Sequence, residues 1–322
     1  MATRALTTWF AGLEAEARFI ELRDALARGE RAEVSGLVGP ARLLAALFLT
    51  GRPLLVVTPH EREVEELASD LKTLVAELGS TGAVLALPAP GPAPFRGLPR
   101  HADASLQRAV ALDAARRGAL RALVASPAGL LRPSLEPRLF ATRVLSLRTG
   151  DEMTPEILLE ALAEGGYRRE DPVTAPGQVA RRGGIVDVFP PDRDAPVRIE
   201  FLGDTIESLR RFDPETQRTT GLIESLEAHP LSDAFTPRSV LDELRRRLPE
   251  RFPDASELPG LLEKLERGLA EEEAAELLPL VPGATVPAWR HLPGAVALAL
   301  DPEMIAAEAE AFFARAGEER AQ

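Results

Sequence analysis

Apolar residues along this chain follow two rhythms, and the change from one to the other divides it. Leu6, Phe10, Leu13, Ala17 and Ile20 recur at steps of three and four, which predicts a helix over residues 5–29. Glu33–Leu37 reads as a short strand, broken by Gly36, Gly39 and Pro40 before a buried helix over Ala41–Leu49. Leu54–Thr58 (LLVVT) is a continuous apolar run, the mark of a strand covered on both faces. Glu61–Leu78 is amphipathic, Ala83–Leu87 is a second buried strand, and Pro88–Pro99 is a proline-rich loop. A helix over Ala104–Arg117 and a strand over Ala122–Ser126 follow. Strand, helix and strand at this spacing predict a parallel α/β layer.

Beyond residue 142 the pattern shortens. Arg143–Leu147 reads as a strand, and Thr154–Glu164 as a helix with Thr154 as N-cap, Pro155 at its first position and Gly165-Gly166 as its stop. Residues 167–220 are almost all strand and turn. Val197, Ile199 and Phe201 alternate with Arg198 and Glu200, so one face is buried and the other wet. Asp213-Pro214-Glu215-Thr216 supplies a side chain for an Asx-turn and a proline that fixes φ. From Leu222 the chain is expected to turn helical again, over Thr236–Leu248 and Leu258–Leu269. A buried strand Ala295–Leu300 and a terminal helix Met304–Ala316 complete it. One strand that late cannot make its own sheet. It is expected to join the sheet of the first segment, which makes the middle an α+β insertion.

The 322 residues allow two or three domains, and 45% hydrophobic content is enough to bury real cores. The absence of cysteine excludes disulfides, zinc–thiolate sites and thiol nucleophiles. Glu14, Glu16 and Glu21 interrupt the N-terminal apolar pattern where a secretory signal would be uninterrupted. No stretch reaches the roughly 20 apolar residues of a membrane span. A cytoplasmic protein is expected. The formal net charge of −12 argues against tight nucleic-acid binding, which draws on phosphate neutralisation.

Candidate chemistry is sparse. Gly36-Leu37-Val38-Gly39-Pro40-Ala41-Arg42-Leu43 sits between a strand and a helix, where a phosphate-binding loop of pattern G-x-x-x-x-G-K-[ST] would lie. Ala41 replaces the second glycine, Arg42 the lysine and Leu43 the metal-binding hydroxyl, and Pro40 removes a backbone donor. Without that lysine, Asp301 reads as a helix N-terminal acid rather than a metal ligand. His60, His101, His229 and His291 are scattered, with no metal or hydrolase spacing. The positive constellation is Arg168, Arg169, Arg181 and Arg182, flanking a turn-rich segment. Arginine suits bidentate contact with carboxylates, so these four form either an acid-seeking face or an ordinary solvated surface.

The run RRGGIVDVFPPDRDAPVRIEFLGDTIESLRRFDPETQRT over Arg181–Thr219 resembles the domain shared by the excision-repair protein UvrB and the transcription-repair coupling factors, Mfd. The Mfd pattern is the nearer. Gly166-Tyr167-Arg168 is similar to the family's G-Y-x-R segment and Pro99-Arg100-His101 to its S-P-H segment. Glu276–Leu280 and Trp289–Pro302 are similar to the end of the module. The degenerate loop and the absence of a DNA-clamping aromatic hairpin in 88–140 both agree with Mfd.

The resemblance implies a helicase-like parallel α/β domain made of residues 1–142 and 222–322, with an inserted α+β domain over 143–221. It implies a non-catalytic module without a cofactor that recruits UvrA, the damage-recognition ATPase, through Arg168, Arg169, Arg181, Arg182, Gly183, Ile185 and Phe189. RNA polymerase and duplex DNA would be partners of other parts of the whole protein. The rival reading is a UvrB-like, ATP-dependent, damage-binding helicase domain.

Overall fold

The computed structural model describes residues 16–36, 51–91, 102–267 and 271–320. His101 and the loop positions Gly39, Ala41, Arg42 and Leu43 lie outside the described residues. The expected helix Ala41–Leu49 does too. The described parts of Met1–Arg96, Ala114–Arg132 and Pro287–Gln322 form one compact unit, and those of Gly97–Asp113 and Pro133–Val286 form another.

The first unit is a parallel α/β layer. Its four strands run in the order Val296–Ala299, Leu54–Val57, Leu120–Ala125, Ala83–Leu87, and all neighbours are parallel. The late strand thus joins the sheet of the early ones, as its isolation in sequence predicts. The central strands are apolar because both faces are covered. Leu54, Val56, Ala122 and Val124 are fully buried, and helix Val64–Glu77 lays Val64, Leu67, Ala68, Leu71 and Val75 against them. Those helix positions recur at one face of a 3.6-residue period. Each fully buried Leu or Val stabilises the unit by about 1.5–3 kcal/mol.

Loops at the strand ends are fixed by one carboxylate. Glu61 Oε1 accepts from the Ala89 amide at 2.7 Å, and Glu61 Oε2 accepts from the Ser126 hydroxyl. Ser126 in turn caps the short helix Pro127–Leu131, accepting from the Gly129 amide at 3.2 Å.

One expectation needs correction here, and another holds. Glu33–Gly36, the described part of the expected early strand, is exposed and forms no strand. Val34, itself 51% exposed, is its only apolar side chain, too little burial to hold a strand in a sheet. Asp301 adopts a left-handed φ of 63°, and its Oδ1 accepts from the Met304 amide at 3.2 Å at the start of helix Pro302–Arg320. The helix N-terminal reading of Asp301 therefore holds.

The second unit is built around a six-stranded sheet in the order Thr219–Ile223, Thr205–Phe212, Val197–Leu202, Ile185–Val188, Gln178–Arg182, Arg168–Arg169. All pairs are antiparallel except the last. Helix Pro155–Glu164 covers one face. Leu158, Leu159 and Leu162 pack with Val179, Val186, Val188, Val197, Ile199, Ile206 and Leu209. The helix begins as its sequence predicts, with the Thr154 hydroxyl accepting from the Ile157 amide at 3.2 Å. Asp213 Oδ1 accepts from the amides of Glu215 and Thr216, closing the expected Asx-turn.

The expectation of helix from Leu222 onward is wrong at its start. Strands continue over Thr219–Ile223 and Ser225–Ala228. Leu226 and Ala228 are buried at a two-residue period, and Ser225–Ala228 pairs antiparallel with Leu145–Arg148. The two strands bring together the two ends of the β-rich segment.

Helices Arg238–Arg251 and Leu258–Glu266 follow. Their Val240, Leu241, Leu244, Leu248 and Leu265 pack with Ala109, Leu135 and Phe140. These contacts assign residues 222–286 to the same compact unit as the β-rich segment. The sequence boundaries at 142 and 221 follow chain order and do not register that packing.

Gly129 generates a test. A Cβ there would sit 2.4 Å from the Leu87 carbonyl oxygen, a backbone atom with no freedom to retreat. Gly129→Ala is expected to destabilise the protein by about 1–3 kcal/mol, the usual cost of overpacking, read from the urea midpoint.

Candidate functional site

The four arginines singled out in the sequence all lie in the six-stranded sheet, but the sheet disperses them. Gly165 ends helix Pro155–Glu164, and Gly166, at φ 92°, turns the chain back. Tyr167 is then buried, its hydroxyl donating to the His229 carbonyl at 3.0 Å, and Arg168–Arg169 becomes an edge strand beside Gln178–Arg182. Both of these guanidinium groups are exposed, and neither has an ion-pair partner among the described residues.

Arg181 and Arg182 are neighbours in sequence and point to opposite faces, because side chains alternate across a strand. Arg181 stands opposite Val186, on the helix-covered side. Its guanidinium pairs with Glu156 at 2.6 Å, and its Nε donates to the Gly183 carbonyl at 2.9 Å. Arg182 stands opposite Ile185 on the other face and forms a two-pronged contact with Asp171, one prong at 3.3 Å. Hydrogen bonding to Arg182 holds the Asp171 carboxyl below the usual range. The pair is half-exposed, so solvent screens it and its strength is modest.

Gly183-Gly184 makes the intervening turn. Gly183 takes φ 63°, a conformation that favours glycine. At Gly184 a Cβ would stand 3.2 Å from the Phe201 carbonyl, while the Gly184 carbonyl accepts from the Phe201 amide at 2.8 Å. This is the close backbone approach that a glycine pair suggests.

Ile185 is half-buried beside Arg182. Phe189 was expected at the binding face and is instead inside, packed with Val173, Ala180 and Phe212. The turn after Val188 directs this large apolar ring to a covered pocket, so it supports the face from beneath.

Sequence reasoning did not find the ion pairs that organise the open face. Arg198 Nε and its terminal nitrogen meet Asp187 at 2.8 and 2.7 Å, and the guanidinium lies 4.7 Å from the Phe212 ring centroid. Asp187 is buried, so this bidentate pair is a shielded one. On the next pair of strands Arg210 meets Glu200 at 3.0 Å. Alternation marks Arg198 and Glu200 as outward-facing but cannot name their partners, which sit on other strands.

A second polar cluster is buried. His229 is 1% exposed and lies between two carboxylates, with Nε2 3.0 Å from Asp192 and Nδ1 3.1 Å from Asp113. The Nδ1 contact falls outside strict hydrogen-bond geometry but still favours the charged imidazole. Burial by itself lowers the pKa of the imidazole, but the two carboxylates outweigh it and raise the value to about 9. Burial pushes the Asp192 carboxyl upward, and the His229 contact outweighs that and leaves it below its usual value. The arrangement is an ionic clamp. Among the described residues no group of three or more His, Cys, Asp or Glu is placed to hold a metal ion.

Set against known proteins, residues 145–233 match the family model of the UvrB interaction domain. That span runs from the strand Leu145–Arg148 to just beyond its partner Ser225–Ala228, so the matched domain is the one these two strands close. The class is therefore a protein carrying a UvrB interaction domain. The chain is 34% identical over 235 residues to the transcription-repair-coupling factor of Myxococcus xanthus, covering 71% of this chain and 19% of that one. It is 35% identical over 273 residues to that of Mycobacterium bovis (79% and 21%), and 26% identical over 253 residues to that of Bacillus subtilis (74% and 20%). The chain belongs to the transcription-repair coupling factors, Mfd, and is similar to their N-terminal region. It spans about a fifth of the length of these curated relatives. Among the described residues no helix is long and apolar enough to cross a membrane.

The His229 clamp predicts a pH dependence. The imidazole of the unfolded chain titrates near its ordinary 6.5, and that of the folded chain near 9. The folded form thus binds the proton more tightly. The stabilisation is complete below about pH 6.5 and is lost as pH rises through about 9, up to about 3 kcal/mol in all. Melting temperatures measured from pH 6 to 9.5 are expected to fall across that window, and the fall should be much shallower in His229→Gln.

Proposed function

We propose that this chain is a non-catalytic docking module that recruits UvrA. On this reading it serves a transcription-repair coupling factor that links stalled RNA polymerase to nucleotide excision repair in the cytoplasm. The inserted domain, residues 143–221 with its closing strand, carries the contact. The parallel sheet is a helicase-like layer whose loop Gly36–Leu43 has lost its phosphate lysine. RNA polymerase and duplex DNA are partners of the whole protein.

The observation that carries this reading is the state of the arginines inside the span matched by the UvrB interaction domain. Arg168 and Arg169 present exposed guanidinium groups on an edge strand, with no ion-pair partner among the described residues. Arg182 is held ready by an exposed carboxylate that a partner's carboxylate can replace at little cost, because a screened surface pair is weak. Ile185 adds apolar area beside it. Gly183 and Gly184 shape the turn that presents Arg182, and Phe189 props the strand from within. Arg181, tied to Glu156, sets the position of helix Pro155–Glu164.

Isothermal titration of purified UvrA into the wild-type protein, Arg168→Ala and Arg182→Ala tests the reading. Each substitution is expected to weaken binding roughly tenfold or more, the scale for losing a charged hydrogen-bonding partner. Unchanged affinity in both variants would remove the arginines from the interface. ATP with magnesium is expected to leave the melting temperature unmoved, because a ligand that bound the native state would raise it.

A further inference from the structure

The acid that holds Arg182 is itself held in place. Val173 is fully buried and packs with Ala180, Phe189 and Phe212. Ala180 and Arg182 are two residues apart in one strand, so their side chains share the open face of the sheet. The segment Asp171–Val173 therefore lies over that face, with Val173 against Ala180 and Asp171 against Arg182. It is tied at two further points. Gln178 Oε1 accepts from the amides of Thr174 and Ala175 at 2.7 and 2.8 Å, and Gln217 Nε2 donates to the Val173 carbonyl at 3.1 Å. With the backbone so anchored, the Asp171 carboxylate leaves Arg182 by rotation of its own side chain.

The contact has a specific geometry. Each oxygen of Asp171 takes one nitrogen of Arg182, the Nε contact at 3.3 Å and the other from a terminal nitrogen. This is the side-on, two-pronged arrangement in which a guanidinium binds a carboxylate from any source. The other arginines of the candidate surface are placed differently. Arg168 and Arg169 have no ion-pair partner among the described residues, and Arg181 is tied to Glu156 on the helix-covered side. Glu170, the neighbour of Asp171, is exposed and enters no ion pair among the described residues.

We propose that Asp171 is an internal competitor for the partner's carboxylate: it fills the Arg182 site in the free protein and sets the affinity of the docking surface. The inference rests on the docking reading above and deepens it by naming the group that the partner's acid displaces. A tethered carboxylate competes at high effective concentration, because it loses no freedom of association when it binds. Both side chains are half-exposed, so water and salt weaken their pair. Arg182 is therefore occupied most of the time but released often, and the apparent affinity for a partner falls by the fraction that is free. The partner's acid wins the exchange where the interface shields it from water, since a shielded pair is stronger than a screened one. A partner without an acid at that point gains nothing from Arg182, so the competitor also sharpens selectivity.

UvrA is titrated into wild type, Asp171→Asn, Arg182→Ala and the double variant, with Glu170→Gln as the control for loss of an adjacent negative charge. Asparagine keeps the size of the side chain and removes its charge. Asp171→Asn is expected to bind about twofold to fivefold more tightly, the scale of one screened surface pair. Arg182→Ala is expected to bind more weakly, and adding Asp171→Asn to it should change nothing, because the competitor then has nothing to occupy. Unchanged or weaker binding by Asp171→Asn overturns the proposal. An equal gain from Glu170→Gln, or a gain that persists in the double variant, assigns the effect to net charge and overturns it as well. If Arg182→Ala binds as wild type does, the competitor falls while Arg168→Ala still decides the docking reading.

Discussion

The alternation of side chains along the hairpin Gln178–Val188 governs what the surface of the β-rich domain can do. Successive residues of a strand face opposite ways, so one face must be apolar if helix Pro155–Glu164 is to pack there. Val179, Val186 and Val188 meet that requirement. Their partners in alternation, Ala180, Arg182, Ile185 and Asp187, are thereby assigned to the other face. A slip of one residue would bury Arg182 under the helix and expose the valines. The position of the arginines is thus a by-product of burying the core, and the strength of the core is what holds them in place.

The open face is organised by ion pairs of unequal depth. Arg198 and Asp187 form a shielded, bidentate pair over the Phe212 ring and act as structure. Arg182 and Asp171 form an exposed pair that solvent weakens. Arg168 and Arg169, on the last and shortest strand, have no ion-pair partner among the described residues. Guanidinium groups therefore become freer from the middle of the sheet toward its edge, and the edge is where a partner has access. The buried clamp of His229 between Asp113 and Asp192, with Tyr167 bonded to the same residue's backbone, holds the segment that frames that edge.

Much of the fold is legible in the sequence because its signals are local. The buried strands Leu54–Val57 and Leu120–Ala125 announce themselves as continuous apolar runs, and helix Pro155–Glu164 by its cap and its glycine stop. Where local signals fail, the cause is long-range pairing. Ser225–Ala228 is a strand because Leu145–Arg148 lies alongside it, and its own alternation runs for only four residues, too short a signal to announce it. Glu33–Gly36 has the look of a strand and no burial to hold it as one. The candidate site was legible as residue types: an arginine-rich, glycine-turned β-segment. Which arginine is free, which is tied, and that Phe189 lies beneath the surface were not legible.

The sequence by itself determined the parallel layer, the β-rich middle segment and the concentration of arginine and glycine within it. These follow from periodicity, turn chemistry and residue identity, which need no knowledge of distant neighbours. Only the tertiary structure decided the partners of those arginines, the burial of Phe189, and the gathering of Asp113, Asp192 and His229 into one clamp. Those residues are far apart in the chain, and charge and hydrogen-bond energies depend on distances that folding alone sets.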